Sequence, residues 1–140
     1  MVFNDFNPDI GPLVTQKSVS EEVFYEFCKK NPELRAEYDK HGKLIIMPPI
    51  KGFGGVNEGT AYGELYIWWK TNKVKGKIFS PSAGFKLPDG SIRSADGAWV
   101  SEERLSALTP KDAKKFMPLV PDFIMEVRSQ RHFWQRVSNF

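Results

Sequence analysis

Apolar residues first recur with helical spacing at Val23, Phe24 and Phe27, behind a polar run in which Ser18 stands three residues ahead of Glu21. That is capping-box spacing, and it predicts a helix from about 19 to 30. Asn31-Pro32 should stop it, because the residue before a proline is pushed out of the helical region. From Leu34 the period falls to two: Leu34, Ala36 and Tyr38 alternate with charged side chains. The turn-rich quartet Asp39-Lys40-His41-Gly42 then leads into the apolar run Leu44-Ile45-Ile46-Met47, so a hairpin is expected, closed by Pro48-Pro49.

Lys51-Gly52-Phe53-Gly54-Gly55 reads as a flexible connector into a helix from about 56 to 70, whose Gly59 and Gly63 predict close packing. No Gly-Lys-Ser/Thr ending follows, so the loop lacks the spacing that cradles a phosphate. Short strands are expected at 78–80, at 84–87, at 91–93 after the tight turn Pro88-Asp89-Gly90, and at 96–100. A charged insert at 101–115 should hold a second short helix, begun by Thr109-Pro110 as cap and first-turn proline. Phe123-Ile124-Met125-Glu126-Val127 is an apolar run of strand length with a single acid in it. Residues 1–17 show no periodicity and read as a poorly ordered lead-in. The strands are expected to form one sheet.

Composition narrows the class. A chain of 140 residues, 41% hydrophobic, suits one core and therefore one α/β domain. The lone Cys28 rules out an intrachain disulfide and a cysteine-rich zinc site, and fits a reducing, cytoplasmic setting. No apolar stretch approaches the roughly 18 residues of a membrane span, and the first ten residues resemble no targeting signal, so no membrane association is expected. The net charge of +3 is too mild to indicate nucleic acid by itself. Lysines gather at 70–77 and 111–115, and an ordinary solvated surface explains them equally well.

The chemistry concentrates in two acids. A carboxylate within an apolar strand is costly unless compensated, so Glu126 needs a cation, a metal or an edge position. Its alternatives are a solvent-facing side chain or a pair with Arg128. Asp96, opening the Ala98-Trp99-Val100 strand, is a metal-ligand candidate or a turn aspartate. Two acids at the ends of neighbouring strands could share one hard divalent ion, with water and phosphate oxygens completing its shell.

Ser82-Ala83-Gly84-Phe85-Lys86-Leu87-Pro88-Asp89-Gly90, Ile92-Arg93-Ser94-Ala95-Asp96-Gly97-Ala98-Trp99-Val100 and Pro121-Asp122-Phe123-Ile124-Met125-Glu126-Val127-Arg128-Ser129 resemble the Uma-two family of restriction-endonuclease-like proteins, as does Gly42-Lys43-Leu44 leading to Met47-Pro48-Pro49. The resemblance runs from about 18 to 129. It implies a mixed sheet flanked by helices, as in the PD-(D/E)XK nucleases, with Mg²⁺ or Mn²⁺ on Asp96 and Glu126 and DNA as substrate. It further implies that Arg93 lies near the metal, where it could contact a scissile phosphate or pair with Asp96. Asp122 matches a family aspartate in a position that suggests a turn, and Asn57 and Glu58 open a helix bordering the site.

Two departures accompany these matches. The proline expected before the metal-binding aspartate is Ala95, which leaves the carboxylate in place. Beyond Ser129 the family's Ser-Pro-Ser-Asp and lysine-bearing helix are replaced by an atypical tail, 130–140, with no lysine after Lys115, which reads like the result of a frameshift or early stop. Two residues after Glu126, where the superfamily motif places lysine, stands Arg128, which can stabilise a phosphate but stays protonated. The expectation is a Mg²⁺-dependent endonuclease domain with an incomplete core and weak or absent activity, Asp96, Glu126 and Arg128 forming its catalytic set. The alternative is a non-catalytic nucleic-acid- or protein-binding domain on the same fold. The Glu126 strand should present an open edge suited to self-association.

Overall fold

The computed structural model describes residues 12–49 and 52–127. Helix α1, Glu21–Lys30, is started by Ser20, whose hydroxyl accepts from the Val23 amide at 3.2 Å. The capping serine therefore lies two residues later than Ser18. Glu21 and Glu22 in the first turn and Lys29 and Lys30 in the last complement the helix dipole. The helix buries Phe24 against Leu44 and Ile92.

The hairpin forms as the alternation predicts. Strands β2 (Arg35–Tyr38) and β3 (Leu44–Met47) pair antiparallel, with Tyr38 opposite Leu44. Part of the lead-in joins them: β1, Leu13–Val14, pairs with β3, and the buried Thr15 hydroxyl accepts the Leu44 amide. The remaining strands are β4 (Lys77–Phe79), β5 (Phe85–Lys86), β6 (Ile92–Arg93), β7 (Gly97–Val100) and β8 (Phe123–Met125).

These strands form two sheets where one was expected. Five lie in the order β1-β3-β2-β6-β5 and three in the order β4-β7-β8, every strand pair antiparallel, with one isolated parallel bridge from Phe85 to Met117. The division falls at Ser94-Ala95-Asp96. The chain leaves the two-residue β6 in the first sheet and enters β7 in the second, so Asp96 lies on the crossing. The second sheet packs through Ala98 and Val100 onto Phe85 and Leu87.

Helix α2, Phe53–Thr71, takes the last glycines of the connector into its first turn and starts earlier than the expected 56. Gly59 and Gly63 do not serve close packing, since a Cβ at either would meet nothing within 4 Å. The close approach is made instead at Gly97. A Cβ there would stand 2.6 Å from the Met125 methyl and 3.2 Å from Leu65 of α2, so the bare backbone lets the helix settle over the start of β7. In the insert, the helix comes before Thr109-Pro110. Ser101 caps α3, Glu102–Ser106, while Thr109-Pro110 is followed only by a 3₁₀ turn, Asp112–Lys114, with Lys111 at its cap position. No helix among the described residues is long and apolar enough to cross a membrane.

Candidate metal centre

The ladder between β7 and β8 sets the geometry. Gly97 pairs with Met125 at the end of that ladder, so Asp96 directly precedes β7 and Glu126 directly follows β8 at the same end of the sheet. Asp96 is 4% exposed. Its Oδ2 accepts the Val127 amide at 2.7 Å, which ties it to the segment carrying Glu126. The Oε1 atom of Glu126 is also buried.

The other oxygen of Asp96 reveals a residue that sequence reasoning missed. Arg35, at the start of β2, donates from Nη2 to Asp96 Oδ1 at 2.7 Å, and its Nη1 lies 3.6 Å from Glu58 Oε1 on the second turn of α2. Burial works against the charged guanidinium. The hydrogen bond and charge of Asp96, then the charges of Glu58 and Glu126, outweigh it and push the Arg35 pKa above its ordinary value. Glu58 is pushed upward too, first by burial and then by the nearby Asp96 charge, with Arg35 pulling the other way. Among the described residues, Arg35 thus meets three carboxylates contributed by a helix and the ends of two paired strands. Asn57, the other residue at this end of α2, is exposed.

The remaining candidates lie elsewhere. Arg93 donates to Glu37 Oε2 at 3.0 Å, and the other oxygen of Glu37 accepts the Ser94 amide at 3.4 Å. Arg93 is therefore the partner of Glu37, while Asp96 is held by Arg35. Asp122 holds the start of α3: it accepts the Ser101 amide at 2.8 Å and Arg104 Nε at 2.7 Å, bonds that hold its pKa below the ordinary carboxylate value. Asp122 thus ties the approach to β8 to the start of α3, 18 and 21 residues away in sequence, where a local turn was expected. Arg128 and the tail 130–140 lie outside the described residues.

The donor chemistry suits a hard cation. Every candidate ligand is a carboxylate oxygen, and a carboxylate oxygen that accepts one hydrogen bond keeps a second lone pair. Among the described residues no three His, Cys, Asp or Glu side chains gather closely enough to enclose an ion. The arrangement fits a pair of ligands whose ion keeps several waters, as Mg²⁺ does.

A family model, Uma2, described as "Putative restriction endonuclease", matches residues 21–132. No curated protein matches the chain.

Proposed function

From the premise that the chain belongs to the Uma2 family of restriction-endonuclease-like proteins, we propose that it is a Mg²⁺-dependent nuclease domain that hydrolyses DNA phosphodiesters slowly. The observation that carries this reading is the buried carboxylate of Asp96 at the end of the β7–β8 ladder. Its Oδ2 takes the amide of the residue that follows Glu126, and the charges of Glu58 and Glu126 reach the same guanidinium that bonds Asp96, so hard oxygen donors gather there as a divalent ion requires.

Asp96 and Glu126 are the residues that would hold the ion. When bound, it supplies polarisation of the phosphorus centre and a lowered pKa for the attacking water. The chain's own groups do the rest. The Val127 amide fixes the orientation of Asp96, and Gly97 lets α2 pack closely over the start of β7 beside it. Arg128 stands where the superfamily motif has lysine. An arginine stays protonated, so it can steady a phosphate but cannot accept a proton from water. A positioned general base contributes ~10²–10⁴-fold, and the rate should be lower by about that factor.

The test is cleavage of plasmid and linear DNA with and without Mg²⁺. Slow, Mg²⁺-dependent cutting that Glu126→Ala abolishes and Arg128→Lys raises supports the reading. Cutting unaffected by Glu126→Ala overturns it.

A second reading, DNA binding without cleavage, is favoured by one observation. A groove of about 890 Å³ between the end of α2 and α3 is lined by Lys70, Lys73, Lys75 and Lys77 together with Tyr66 and Trp69. Such a surface suits phosphates and stacked bases. Binding that persists in Glu126→Ala while no variant cuts would select this reading.

A further inference from the structure

The position of Arg35 raises a question that the metal reading leaves open. A divalent ion bound to Asp96 must share that carboxylate with a guanidinium already 2.7 Å from it. Two cations at one buried carboxylate repel each other strongly in a medium of low dielectric. Arg35 also carries an unused donor: among the described residues its Nε is buried and has no hydrogen-bond partner. The side chain is 24% exposed, so it retains a route to solvent. Its Nη1 contact with Glu58 is long, at 3.6 Å, and is easily given up.

We propose that Arg35 is an exchange residue: it neutralises Asp96 in the metal-free chain, yields that carboxylate to the divalent ion, and turns its guanidinium to a phosphate oxygen of the bound DNA. The proposal rests on the metal-site reading above. It assigns Arg35 two opposite effects, competing with the metal and recruiting the substrate. Arginine suits both tasks, because its planar fork matches carboxylate and phosphate geometry alike. A guanidinium that stays on Asp96 throughout would keep its Nε surroundings unchanged when metal and duplex are added.

The experiment measures Mn²⁺ binding without DNA, and binding of a short DNA duplex in Ca²⁺, for wild type, Arg35→Met and Asp96→Asn. Arg35→Met should bind Mn²⁺ about tenfold tighter, since a charge-assisted hydrogen bond no longer competes. The same variant should bind the duplex about tenfold more weakly. Should Arg35→Met fail to fold, the wild-type chain still reports through the Nε–H resonance of Arg35, assigned by its loss in Arg35→Lys. Saturating Mg²⁺ should shift it, and adding duplex should shift it again. An unmoved resonance, or Mn²⁺ affinity in Arg35→Met equal to or below that of wild type, overturns the exchange role. If Asp96→Asn loses Mn²⁺ in that same case, the metal centre stands without it. If Mn²⁺ binds equally to wild type and Asp96→Asn, the metal reading and the exchange role fall together.

Discussion

Among the described residues two arginines meet buried acids, and their surroundings differ. Arg93 and Glu37 form a closed pair: one oxygen of Glu37 takes the guanidinium and the other takes the Ser94 amide. Arg35 faces Asp96, Glu58 and Glu126 together. Both arginines come from β2 or its neighbour β6, and Arg35 and Glu37, two apart on one strand, lie on the same face about 7 Å apart. The two clusters are therefore neighbours, and among the described residues Arg93 pairs with one acid where Arg35 reaches three. The acids that share one arginine lie on α2 and beside the ends of β7 and β8, where the divalent ion is proposed to bind.

The largest expected effect is on the closed pair. Glu37→Ala strands a mostly buried guanidinium and should cost about 3–5 kcal/mol of stability by denaturant unfolding. Replacing Arg93 and Glu37 together by apolar residues should recover most of that loss. If Glu37→Ala is as stable as wild type, the pair is not closed and the contrast fails.

Metal should act only on the other cluster. At tenfold excess over its dissociation constant, Mg²⁺ should stabilise the wild-type chain by about 1.4 kcal/mol through mass action. The same addition should leave Asp96→Asn unmoved in a thermal melt. An equal rise in both would place the ion elsewhere.

The smallest effect concerns Glu58, whose pKa is raised by burial and the Asp96 charge. The folded chain holds that proton more tightly than the unfolded chain, so Glu58 weakens the fold as pH rises through the window above its ordinary value of 4.5. Glu58→Gln should then be more stable than wild type at neutral pH, by less than about 1 kcal/mol, with the difference vanishing in acid. A loss of stability at neutral pH would mean that the contact with Arg35 outweighs the burial.

The legible parts of the fold are those decided by local pattern. The hairpin at 34–47 was plain because alternation and turn residues agree. Helix α3 was missed although Ser101-Glu102-Glu103 carries a cap and two first-turn acids, because Thr109-Pro110 offered a second start signal nearby. The split into two sheets has no local signature, since it depends on where a two-residue strand loses its partner. In the site, Asp96 and Glu126 drew attention as acids in apolar surroundings. Arg35 gave no such sign: in a strand with charged residues at every second position it looks like a solvated side chain, and its partner Asp96 is 61 residues away. Glu37, 3% exposed on the same face, shows that this charged face is largely covered.

The central claim is that Asp96 and Glu126 form one site for a divalent ion. Titration of Mn²⁺ into the wild-type chain, Asp96→Ala and Glu126→Ala, followed by loss of the free-ion EPR signal, tests it most directly. Weak binding in the wild type that both substitutions abolish is the predicted result. Equal binding by all three chains would contradict the account and remove these carboxylates from any metal site.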